Sequence, residues 1–135
     1  MKVSMSSTAE YSSQAAESIK DLNPNAADVL ISSIVTSMVT DLGVVAPTSS
    51  GLLTFYDGKT NNSHTVDGYF VSPKYFKGND HEEHKVVLTY GGYVETCKGA
   101  NTFAIPGIYK ILDFLYKNYA SLPLDKLLHI TSNIA

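Results

Sequence analysis

Residues 24–58 read PNAADVLISSIVTSMVTDLGVVAPTSSGLLTFYDG, and the hydrophobic period changes inside them. Up to Leu42 the apolar residues Ala27, Leu30, Ile31, Ile34, Val35, Met38 and Leu42 recur at helical spacing. Asn23 followed by Pro24 is a start signal, and Gly43 is a stop. The spacing therefore predicts a helix from Pro24 to Leu42, with Asp28, Ser32, Ser33, Ser37 and Asp41 on its opposite, polar face. β-Branched residues lower its intrinsic helicity, but its length exceeds that of a typical strand. After the linker at 44–50 the period becomes 2. Gly51–Tyr56 reads as a strand closed by Asp57-Gly58, a hairpin turn. A helical half followed by a strand half is the signature of an α+β fold.

Upstream, the first fifty residues hold eleven of the fifteen serines. Ser7-Thr8-Ala9-Glu10 has the spacing of a capping box, which predicts a helix from about Thr8 to Asp21. Its apolar face is small: Ala15, Ala16, Ile19 and Leu22. An isolated helix of that length is marginal in water. Residues 1–22 are therefore expected to act as an assembly arm on another chain, the alternative being tight packing on the Pro24–Leu42 helix.

Downstream, His64–Ser72 reads as a second strand, and Gly91-Gly92 joins two more, His84–Tyr90 and Tyr93–Lys98. Pro106 opens a helix to about Ala120, with Ile108, Ile111, Leu112, Leu115 and Tyr119 as its stripe. Residues 122–135 fit either a short helix or a closing strand. The expected build is one α+β domain over residues 1–135. It has two N-terminal helices, a small antiparallel sheet of about four strands made of hairpins, and a C-terminal amphipathic helix. Its expected core is Leu30, Ile34, Met38, Leu53, Phe55, Val86, Leu88, Ile111, Leu112 and Leu115.

Composition narrows the function. The chain has 135 residues, 44% hydrophobic and 17% charged, with a net charge of −3. All ten basic residues are Lys. An acidic chain without Arg is a poor match to nucleic acid, which needs a basic field and planar forks. One Cys excludes an internal disulfide. The first residues lack the apolar core of a secretory signal, and the apolar run 26–46 is broken by polar residues. A soluble, non-secreted protein is expected, cytoplasmic or within a virus particle, with no membrane partner.

Chemistry-bearing motifs are few. Asp80-His81-Glu82-Glu83-His84 is the densest set of potential metal ligands. His81 and His84 are three apart at a loop-to-strand junction, so the imidazoles need not converge, and no metal or other cofactor is expected. Cys97 has Lys98 beside it but no local base. No G-x-S-x-G elbow, G-x-G-x-x-G turn or Walker loop occurs, so no catalytic residue is assigned. Tyr75 and Phe76 in a lysine-flanked loop are the best interface candidates, with Asp80, Glu82 and Glu83 as an acidic edge. These observations predict a non-enzymatic structural or interaction subunit, self-associating or joined to another subunit, with a viral or phage particle as one setting. The alternative is a small acidic inhibitor or immunity-type protein that blocks one protein partner, and a small enzyme or ligand-binding domain ranks behind both.

Overall fold

The computed structural model describes residues 3–74, 84–89, 92–99 and 102–134, with His84 described by its backbone alone. The chain runs through helix α1 (Glu10–Ser18), a 3₁₀ turn (Lys20–Leu22) and helix α2 (Ala26–Thr40). Strands β1 (Gly51–Asp57), β2 (Asn62–Gly68), β3 (His84–Thr89) and β4 (Tyr93–Lys98) follow, then helices α3 (Ile108–Tyr119) and α4 (Leu124–Ile134). The class is α+β, and the C-terminal segment is a helix. The four strands form two hairpins, β1–β2 and β3–β4, each a separate two-stranded antiparallel sheet.

Helix α2 starts two residues later than its Asn-Pro signal. Asn23 adopts a left-handed conformation (φ 56°), and Asn25 is the cap. The Asn25 carboxamide oxygen accepts from the N–H groups of Ala27 and Asp28, at 2.8 and 3.1 Å. Asp28 answers by accepting from the Asn25 N–H at 2.9 Å, which completes a capping box. The box expected at Ser7–Glu10 does not form. Ala9 caps α1, and the Ser7 hydroxyl accepts instead from the Ala9 N–H at 3.1 Å.

The polar face expected on α2 is a buried face. Asp28, Ser32, Ser33 and Ser37 are all sequestered, together with Thr36, and only Asp41, at the C-cap, is half-buried. The physical reason is size: small side chains let α1 and α4 approach closely. Ser12 of α1 donates to the Ser33 carbonyl at 3.2 Å, and Ser33 donates back to the Ser12 carbonyl at 3.0 Å. Ser12 also meets the Ser37 hydroxyl. The Thr36 and Thr131 hydroxyls join α2 to α4 at 3.1 Å. Ala15 of α1 and Ile19 just after it are fully buried, with α1 packed on α2 and α4.

Helix α3 ties the helices to the first hairpin. Its Ile111 and Leu115 are buried in the same core as Met38, Ile31, Leu53 and Leu127. Phe55 of β1 stacks on His64 of β2 and meets the edge of Tyr119 at 4.8 Å between ring centres. Gly107, just before α3, lies against Gly68 at the end of β2. A Cβ there would sit 2.2 Å from the Gly68 carbonyl oxygen. Leu30, Ile34, Phe55, Val86 and Leu112 of the expected core are only half-buried, and Leu88 is exposed. The Leu88 result follows from its hairpin, in which β4 is exposed from end to end and most of β3 likewise.

Candidate functional site

Tyr75, Phe76, Asp80, His81, Glu82 and Glu83 lie outside the described residues, and the His84 side chain is not described. Among the described residues no three His, Cys, Asp or Glu side chains gather closely enough to hold a metal ion. Cys97 is exposed on β4. His64 is occupied by its stack on Phe55, and the His129 ring lies 3.5 Å from the Ser132 hydroxyl on its own helix. The three potential nucleophile and base groups thus sit on β4, β2 and α4, with no contact joining them. No Cys–His pair is therefore formed among the described residues.

The most organised polar feature is Asp28. Sequence places it third in α2, where the capping box holds it. Folding brings the turn between α3 and α4 onto the same carboxylate. The N–H groups of Ser121 and Leu122 donate to it at 2.9 and 3.0 Å, and the Ser121 hydroxyl donates as well. Beside it the Asn25 amide donates to the Tyr119 carbonyl at 2.7 Å. Burial opposes the charge on Asp28, but the hydrogen bonds from Ser121, Asn25 and Leu122 together outweigh it and hold the carboxyl below its ordinary value. Every acceptor position is engaged, so the group orients backbone and leaves no lone pair for a substrate. Sequence reasoning placed Asp28 on a solvated face. The signal that identifies it is the N-x-x-D spacing from Asn25, one capping-box length.

Above this knot, α2, α3 and α4 leave a groove of about 560 Å³. Val35, Met38, Tyr109, Leu112, Tyr116 and Leu128 line it. Of its polar groups, the Tyr116 hydroxyl accepts from the Leu124 N–H at 3.3 Å, and Asp113 at the rim pairs with Lys117 at 2.9 Å. Such a surface takes apolar matter by burial.

No known family model matches the sequence, and no curated protein matches it. Solved structures do match its fold. A transpeptidase enzyme of Bacillus anthracis, CapD, superposes over 100% of this chain and 40% of its own, with a TM-score of 0.74 at 18% identity. The gamma-glutamyltranspeptidase of Pseudomonas nitroreducens, solved with L-DON, covers 98% of this chain and 38% of its own, with a TM-score of 0.76 at 18% identity. The Helicobacter pylori gamma-glutamyltranspeptidase gives 0.75 at 14% identity, over 100% of this chain and 39% of its own. The chain therefore spans about two-fifths of the length of the solved structures it matches.

This likeness overturns the function expected from sequence. The non-enzymatic structural subunit, the virion component and the small inhibitor all give way to an enzyme-related fold. The expectation rested on the lack of a catalytic motif.

Proposed function

We propose that this chain is the scaffold portion of a transpeptidase-type enzyme that transfers a γ-glutamyl or similar acyl group from an amide to an amine. The observation that carries the reading is the end-to-end likeness to three transpeptidases at TM-scores of 0.74–0.76. Acyl transfer needs an activated nucleophile and donors for the developing oxyanion. In this reading those groups come from polypeptide corresponding to the unmatched three-fifths of the relatives. The chain's own part is the rigid helical layer fixed by Asp28 and the Ser12–Ser33 contact, with β1–β2 carried on α3. Its partner is protein.

The test is an assay of native material. An affinity tag on this chain, expressed in its own source, should bring down activity that releases 4-nitroaniline from γ-glutamyl-4-nitroanilide with glycylglycine as acceptor. L-DON should block that release. The isolated chain should fold and turn over none of the substrate. Tagged material that releases no more 4-nitroaniline than an untagged control would sink the proposal.

A further inference from the structure

We draw no further inference here: the strongest candidate, the exposed apolar platform where Tyr69, Phe70 and Val71 at the end of β2 meet Phe103 and Ile105 through the Val71–Ile105 bridge, carries nothing because nothing in the structure shows what covers it.

Discussion

Asp28 shows how one carboxylate can determine where two distant stretches of chain lie. Its four donors come from Asn25, three residues before it, and from Ser121 and Leu122, more than ninety residues after it. Replacing it by Ala takes the acceptor from three backbone N–H groups, those of half-buried Asn25 and Leu122 and exposed Ser121, at a cost of about 1–3 kcal/mol. Chemical denaturation of Asp28→Ala should show that loss, and a change under about 0.5 kcal/mol would show that water replaces the carboxylate freely. The pH dependence has a definite sign. The folded carboxyl value lies below the ordinary 3.8, so the unfolded chain binds the proton more tightly. This share of stability is complete above the unfolded value and is lost as pH falls through the lower folded one. Asp28→Asn, which cannot titrate, should therefore have a shallower acid limb below about pH 4 than the unmodified chain. Identical acid limbs would assign acid unfolding to other carboxylates. The sequence carried the cap but not the clamp: local spacing links Asn25 to Asp28, whereas Ser121 reaches it only through the tertiary fold.

Elements were legible where a wide apolar stripe defines them, and misread where small polar residues do the packing. The stripe of α3 gave both its extent and its buried positions Ile108, Ile111 and Leu115. In α2 the serines looked solvated because hydropathy weighs a residue's polarity and ignores its size. Ser32, Ser33 and Ser37 are buried because a small side chain is what a close helix contact requires. The small apolar face read for α1 understates its packing in the same way. With Ala15 and Ile19 fully buried, Ile19→Ala should cost about 2–4 kcal/mol. A thermal midpoint unchanged by that substitution would show that α1 contributes nothing to the folded chain. The contact between α3 and β2 admits an equally local test. Gly107→Ala would press a methyl into the backbone of Gly68, and overpacking of this kind costs about 1–3 kcal/mol. Its φ of −100° suits any residue, so the effect reports the close approach alone. If Gly107→Ala is as stable as the original, α3 and β2 can separate without loss.

At the scale of the whole molecule, the two hairpins face different circumstances. Strand β1 packs Leu53 and Phe55 toward α3, and that hairpin shares the helical core. The β3–β4 hairpin places Val87, Leu88, Tyr93 and Val94 in solvent. Sequence alternation identified all four strands because it reads pairing, which is local. It could not say that the pairs belong to separate sheets, since that depends on what covers each face. A two-stranded hairpin in water is marginally stable at best. Its backbone hydrogen bonds should open locally, without waiting for the helices to unfold. Hydrogen exchange followed by mass spectrometry on the isolated chain should therefore find the β3–β4 amides exchanging at least about 100-fold faster than those in the middle of α2, around Ile31–Met38. The β1–β2 amides should fall between the two. In active material recovered through the tag, exchange at β3–β4 should slow if the additional polypeptide of the proposed enzyme covers this hairpin. Protection of β3–β4 equal to that of α2 in the isolated monomer would show instead that the hairpin is held by the chain itself, and the separation into a stable helical layer and a weakly held hairpin would be wrong.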